Sequence, residues 1–446
     1  MKQYDYDRIS KIVFQISLAC VFAGAFFALG AWMVATRPVP YFWMREMWRA
    51  IQETVSPEDI ARIDVFDAPE GAVETPRLSP GSPVTGPCMA IVARRGTRHG
   101  IFWIDGTGAI VASIDAGDEF AGLSLDGLDW KSEGVSERRQ AIWHGFDLVD
   151  DGGDEGVILA ISGMSTPYGI GLVRMGSDGS VRWARGIGAH HTVMRRDDGN
   201  FVVTTMHLRM EPDPDFPNFT PPFMEDEISI VAPDGTELDR FSLMSALAHS
   251  QYRGFLSANF DLPTTVATRD PFHTNKASPL SASLAPLFPM FAPDDLLVSI
   301  RHLNAVFVID PATRAVKRAY AGPFVRQHAP VWGADGRIYV FSNQSGARNF
   351  SASEILALDP ASGDVVWRWT GDGQEPFFSE YRGDLDWVRP GVLLVAETNR
   401  GRVFMLDVAT GEVIGDFRNI YRDDEGVLKT GAVMNARMAV CPETAR

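Results

Sequence analysis

The chain has 446 residues, 45% of them hydrophobic, enough to bury a large core in one or two domains. Its formal net charge of -16 offers no basic face for neutralising phosphates, which argues against a nucleic-acid partner. No HExxH or paired-cysteine pattern is present, so neither a metal site nor a bound cofactor is expected.

The first predicted element is an uncharged run over residues 12–35, "IVFQISLACVFAGAFFALGAWMVA". At 1.5 Å per residue it is long enough to cross a hydrocarbon core of ~30 Å. Lys2, Arg8 and Lys11 precede it, so the positive-inside rule favours a cytoplasmic N-terminus at residues 1–11 and export of everything after residue 35. A long cleaved signal peptide, with the small residues of "ALGA", is the rival reading. Either way the folded part leaves the cytoplasm.

Residues 36–99 read as a helical linker and lead-in. Pro38 and Pro40 stop the span, aromatic and methionine residues at helical spacing follow from Tyr41 to about Val55, and "SPED" starts a second short helix with a serine cap. From residue 100 the pattern changes to short alternating runs separated by Asp-Gly, Ser-Gly and Pro-Asp turns.

One unit recurs six times: "IFWIDGTGAIVASI", "IGLVRMGSDGSVRWAR", "ISIVAPDGTELDRFSL", "VFVIDPATRAVKRAY", "ILALDPASGDVVWRWT" and "VFMLDVATGEVIGDFR". Each is an apolar strand, a turn and a second strand, a hairpin that cannot bury its faces alone. The last two intervals, 49 and 48 residues, approach the length of a four-stranded propeller blade. The expected fold is therefore all-β, a six-bladed β-propeller over residues 100–446 behind the transmembrane helix and short helical segment. A β-sandwich or solenoid is the alternative. Two stretches rich in proline and aromatics, 207–227 and 277–295, read as insertions, potential lids at one end of the axis. Of the three cysteines, Cys20 lies in the span. Cys88 and Cys441 either pair, tying the first and last units together, or remain free thiols.

Four histidines attract attention by position. His328 and His191 each stand eight residues before a turn glycine, Gly336 and Gly199, and His273 begins "HTNKAS" at the corresponding point of another unit. His144 offers a fourth with altered spacing. Equivalent positions in successive blades are related by rotation about one axis, so residues that start the innermost strands converge there. A lone histidine at a strand start is more often a turn or core residue. Three in register, with Arg301 ending the strand after His273, point instead to a cluster. Imidazoles suggest metal first, but the guanidinium of Arg301 suits an oxyanion better, and a neutral imidazole can also act as a nucleophile.

The stretches "GIGAHHTVMRRDDGNFVVT", "DPFHTNKAS", "LLVSIRH" and "VRQHAPVWGADGRIYVFSN" resemble, in this order, the motifs of the PAPS-independent arylsulfotransferases (aryl sulfate sulfotransferases). The resemblance implies a periplasmic six-bladed propeller that moves a sulfuryl group between phenols through a sulfohistidine. It implies His328 as nucleophile, with His191, His273 and Arg301 holding the sulfuryl oxygens and one imidazole handling the phenolic proton. His190, Asn275, His302 and Asn343, within the same motifs, are the candidate substrate contacts, and Lys276 stands where relatives carry a small residue. The expected partners are small aryl sulfates and phenols, besides an inner membrane crossed once with the C-terminal domain in the periplasm. Oligomeric state is left open. A non-catalytic propeller that binds a ligand or scaffolds envelope proteins is the competing hypothesis. Trp367 and Trp369 also bring quinoprotein blades to mind, although inter-blade packing explains them more simply.

Overall fold

Alternating apolar residues and tight turns fold each of the six recurrent hairpins as the outer pair of a four-stranded antiparallel sheet. The computed structural model describes residues 32, 64–77, 86–96, 98–115, 142–150, 155–163, 169–216, 219, 221–257, 270–344, 352–371, 373 and 376–442. The expected membrane span and helical segment fall outside the described residues, apart from Trp32. Among the described residues no helix is long and apolar enough to cross a membrane.

Contacts divide the chain at Ile60, and all the sheets belong to the unit Ala61–Arg446. Sheet 1 runs Val433–Val440, Pro87–Arg95, Arg98–Ile104, Ile110–Asp115. Sheet 2 runs Ile142–Asp150, Glu155–Ser162, Gly169–Gly176, Val181–Arg185, and sheet 3 runs Ala189–Arg195, Phe201–Arg209, Phe223–Val231, Glu237–Ser242. Sheet 4 runs Thr274–Pro279, Leu296–Ile300, Ala305–Ile309, Val316–Ala321, and sheet 5 runs His328–Trp332, Ile338–Ser342, Glu354–Leu358, Val365–Trp369. Sheet 6 runs Asp384–Arg389, Val392–Glu397, Arg402–Asp407, Val413–Arg418. A three-stranded sheet of Val65–Asp67, Leu428–Gly431 and Ile420–Arg422 stands beside them.

The arrangement is propeller-like. Apolar clusters lie between sheets 1 and 2, 2 and 3, 3 and 4, 4 and 5, 5 and 6, and again between 6 and 1. The first-named strand of each sheet touches the first-named strand of the next in the same cyclic order. Burial of one large apolar side chain contributes roughly 1.5–3 kcal/mol, against about 1 kcal/mol for a net hydrogen bond, so these faces rather than the turns hold the sheets together.

Three expectations change. The first sheet begins at Pro87 rather than at residue 100, because the C-terminal strand pairs with Pro87–Arg95, Cys88 opposite Ala439. Cys88 and Cys441 do form a disulfide there, spanning 353 residues of sequence. Stretch 207–227 is largely a continuation of sheet 3, with Arg209 paired to Phe223 and its tip closed by Phe216, Phe219 and Phe223 in edge-to-face and tilted contacts. Stretch 277–295 joins the first two strands of sheet 4, and its Asp294 and Ala282 bind Arg196 and Asp197 beside the first hairpin turn of sheet 3. Strand direction puts that turn at the far end from the histidine-bearing strand starts, so this stretch is no lid over them.

Candidate active site

A small cavity opens where the innermost strands begin. His144, His191, Asn275, His328, Asp384 and Asn435 all line it, one from the innermost strand of each of the six sheets. The backbone there departs from regular pairing: register slips between Trp143 and Phe146, between Ala189 and Val193, between Thr274 and Lys276, and between His328 and Val331. Such bulges re-aim side chains at the ends of strands. His191, His273 and Ala329 take left-handed φ values of 50, 53 and 50°, rare for residues with a Cβ and frequent at functional sites. The eight-residue spacing equates His191 with His328, but the left-handed residue follows His328 and follows His190. In backbone conformation His190 is therefore the counterpart of His328. Sheets 2 and 3 approach so closely that a Cβ on Gly145 would lie 2.0 Å from the carbonyl oxygen of His191.

His328 is 4% exposed. Its Nδ1 lies 3.0 Å from the Arg326 carbonyl and 2.6 Å from Asn343 Oδ1. A carbonyl only accepts, so Nδ1 carries the proton. Asn343 agrees, because its Nδ2 donates to the carbonyls of Ser379 and Arg382 and leaves Oδ1 as the acceptor. Nε2 of His328 is then the unprotonated nitrogen, and it is buried without a hydrogen-bond partner. Burial first and the Arg301 charge second push the imidazole down to about 3, so it is neutral near pH 7.

Arg301 acts on the His328 imidazole through its charge and is itself held by a fixed chain. Its Nη2 donates to His302 Nε2 at 2.9 Å, and His302 Nδ1 donates to the Asp270 carbonyl at 2.6 Å. His302, expected as a substrate contact, thus holds the guanidinium. His273 Nδ1 is hydrogen-bonded to the Asp270 carboxylate, and its ring lies 5.0 Å from both His302 and His191. Burial, reinforced by Arg301, keeps His273 well below the ordinary imidazole range. His191 and His144, ring centroids 4.3 Å apart, are likewise held well below it by burial and by neighbouring imidazoles.

His190 is fully buried. Its Nδ1 lies 2.8 Å from His191 Nδ1 and its Nε2 3.3 Å from Asp226 Oδ1. Asn275 lines the cavity while donating from Nδ2 to the Gln327 carbonyl at 2.8 Å. The eight residues singled out in the sequence thus fall into one connected cluster.

A family model described as arylsulfotransferase (ASST) matches residues 153–419, more than half of the chain. The chain belongs to the arylsulfotransferase family. No curated protein matches it in sequence. Among solved structures it is similar to a protein of unknown function from Bacteroides caccae, at 13% identity and a TM-score of 0.48, covering 79% of this chain and 99% of that one. It is also similar to Citrobacter koseri AztD, at 11% identity and a TM-score of 0.36, covering 80% and 100%. Virginiamycin B lyase from Staphylococcus aureus follows at 10% identity and a TM-score of 0.35, covering 68% and 85%.

The arylsulfotransferase match contains every residue from His190 to Asn343 but omits His144 and Asn435, which share the cavity. Sequence reasoning also missed Arg382. It lines the cavity from the segment before sheet 6, paired with buried Asp64, and its charge is felt by His328 and His144. The only local signal is Arg-Gly ahead of the strand, where Gly383 lets the chain pass the Phe341 ring; a Cβ would lie 2.9 Å from it. Lys276, the departure from other arylsulfotransferases, is buried, and its Nζ donates to Asp384 Oδ1 at 2.8 Å and to the Leu385 carbonyl at 2.7 Å.

Asp270, His273 and His302 bring one carboxylate and two imidazoles within reach of one ion. Asp270 Oδ2 and His273 Nδ1 are committed to each other and both His302 nitrogens to Arg301 and the Asp270 carbonyl, and the Arg301 guanidinium beside them favours an anion over a cation. Trp367 and Trp369 are packing residues: Trp369 lies against Phe377 and Phe404 and donates to the Gly411 carbonyl, and Trp367 meets Tyr339.

Proposed function

We propose that this arylsulfotransferase is a closed six-bladed β-propeller enzyme that transfers a sulfuryl group from an aryl sulfate to a phenol or alcohol, with His328 as the covalent carrier. The observation that carries the reading is the buried, unprotonated and unpartnered Nε2 of His328, with its Nδ1 proton held by Arg326 and Asn343. In the first half-reaction the Nε2 lone pair attacks sulfur, the S–N bond forms, and the S–O bond to the aryl group breaks with its electron pair leaving on the aryloxide. In the second, the acceptor oxygen attacks sulfur, and the S–N pair returns to Nε2. Transfer of this kind depends on an in-line nucleophile and on positive donors at the equatorial oxygens. Arg301 and Arg382 supply the fixed charge and Asn275 Nδ2 a further donor, while neutral His273, its Nδ1 proton on Asp270, presents only a lone pair. A sulfate monoester carries a single negative charge, so the two guanidiniums suffice without a metal.

The reading extends to location: a single inner-membrane span at residues 12–35, with the propeller in the periplasm. The Cys88–Cys441 disulfide supports an oxidising compartment. Incubation with 4-nitrophenyl sulfate and a phenol should give the new aryl sulfate, a burst of 4-nitrophenolate, and a peptide containing His328 heavier by one sulfuryl group. His328→Ala should abolish all three. Equal rates for wild type and His328→Ala would overturn the assignment.

A further inference from the structure

We infer that His191, His190 and Asp226 form a proton relay that deprotonates the acceptor, with His190 and Asp226 as positioning residues behind His191. The inference rests on the sulfuryl-transfer reading above and adds the fate of the acceptor's proton. Three observations carry it. His191 lines the cavity, whereas His190 is fully buried behind it. The two imidazoles face each other Nδ1 to Nδ1 at 2.8 Å, so one must donate and the other accept. The far nitrogen of His190 is 3.3 Å from Asp226 Oδ1, and the other oxygen, Oδ2, already accepts from the Thr274 N–H.

At 3.3 Å the pair is an electrostatic contact rather than an aligned hydrogen bond, and the negative carboxylate favours the tautomer of His190 with the proton on Nε2. Nδ1 of His190 is then an acceptor, and His191 must present its Nδ1 proton to it. That leaves the acceptor lone pair of His191 on Nε2. The direction of every donor in the chain is thus set from Asp226. The carboxylate does not sit in a loop: it lies in the fully buried strand Phe223–Val231. Burial raises its pKa, and the nearby Asp270 adds to the rise while His190 opposes it, a state suited to taking up a proton.

The step balances as follows. As the acceptor oxygen forms its bond to sulfur and the S–N pair returns to His328, the acceptor's proton passes to His191 Nε2. The Nδ1 proton of His191 moves to His190 Nδ1, and the Nε2 proton of His190 moves to Asp226. Once a turnover has left the acceptor's proton on Asp226, the same protons run back when the next donor releases a basic aryloxide. His190, assigned from the sequence as a substrate contact, acts here without touching substrate.

Asp226→Asn tests the relay. The amide offers a donor where the carboxylate accepted, so both histidines reverse and His191 presents an N–H instead of a lone pair. The wild type and the variant are compared with 4-nitrophenyl sulfate as donor and a series of phenols of rising pKa as acceptors. The 4-nitrophenolate burst, whose leaving group needs no proton, should stay within a few-fold of wild type. Transfer to phenols with a pKa near 10 should fall by about 10²–10³-fold, and transfer to nitrophenols already ionised at the assay pH should fall little. His190→Gln should show the same pattern. A loss equal for all acceptors, no loss, or a missing burst in both variants would overturn the relay. Absence of the burst and of sulfated His328 in the wild type would instead overturn the sulfuryl-transfer reading itself.

Discussion

His328 and His99 make the stability of this protein depend on pH in a calculable way. Both are fully buried, and both are pushed from 6.5 to about 3, burial being the largest cause in each. Between those values the unfolded chain binds a proton that the folded chain refuses, so stability rises with pH and is lost as pH falls below about 6.5. For one such group the loss between pH 8 and pH 5 is about 1.5 pKa units, or about 2 kcal/mol, and the two together give about 4 kcal/mol. His144, His191 and His273 act in the same direction. Asp147, Asp226 and Asp270, raised by burial, act in the opposite one, because the folded state holds their protons more tightly.

A single substitution isolates one contribution from this sum. His328→Asn keeps a donor toward Asn343 Oδ1 but cannot titrate. Guanidinium unfolding of the full chain at pH 8 and pH 5 gives the loss of stability for each protein. The wild type should lose about 2 kcal/mol more than the variant, since the carboxylates and the other histidines are common to both. Equal losses would refute the argument. They would mean that His328 is protonated or solvated when folded, and the unprotonated nucleophile would go with it.

Two further outcomes concern the frame. Lys276→Met should lower stability by about 3–5 kcal/mol and raise the donor KM, read by unfolding and by initial rates, because it strips the Leu385 carbonyl of a donor and leaves Asp384 under-compensated. Opening the Cys88–Cys441 bridge by Cys88→Ser with Cys441→Ser should cost up to about 5 kcal/mol, the upper range for a cross-link closing so long a loop, with the 4-nitrophenolate burst retained at low temperature.

The hairpin pattern made the outer half of every sheet legible, since each of the six repeated segments is an outer pair. The composite first sheet was not, because its innermost strand comes from Val433–Val440 and no local periodicity reports a pairing across the whole chain. The histidines were legible through spacing, and circular order brought them together. Bulges were not, so the same count hid the fact that His190, not His191, matches His328 in backbone conformation. Residues 207–227 read as an insertion, yet their last five continue into the strand "FMEDEISIV", all nine residues of which are buried. Three carboxylates inside a strand are affordable only with partners, and the histidines and arginines that supply them lie elsewhere in sequence: Asp226 faces His190, and Glu225 and Glu227 face His207, Arg209 and Arg240.

The same reasoning explains how the Asp384 carboxylate can line the cavity beside Arg382 and the histidines. Under the proposed function Asp384 would repel a sulfate from the cavity if its charge stood alone. Its Oδ1 accepts from Lys276, and its Oδ2 accepts from Asn435 Nδ2 at 2.6 Å and Arg437 Nη1 at 3.0 Å. Two cations and an amide therefore occupy its lone pairs, and neighbouring carboxylates raise Arg437 still further above its ordinary value, so that cation persists at any working pH. The network joins sheets 4, 6 and 1, and its Asp384 and Asn435 line the same cavity as His328. Lys276 is consequently a compensating charge that neutralises Asp384 inside the sheets and leaves the charge of Arg382, on the same cavity, unopposed by that carboxylate.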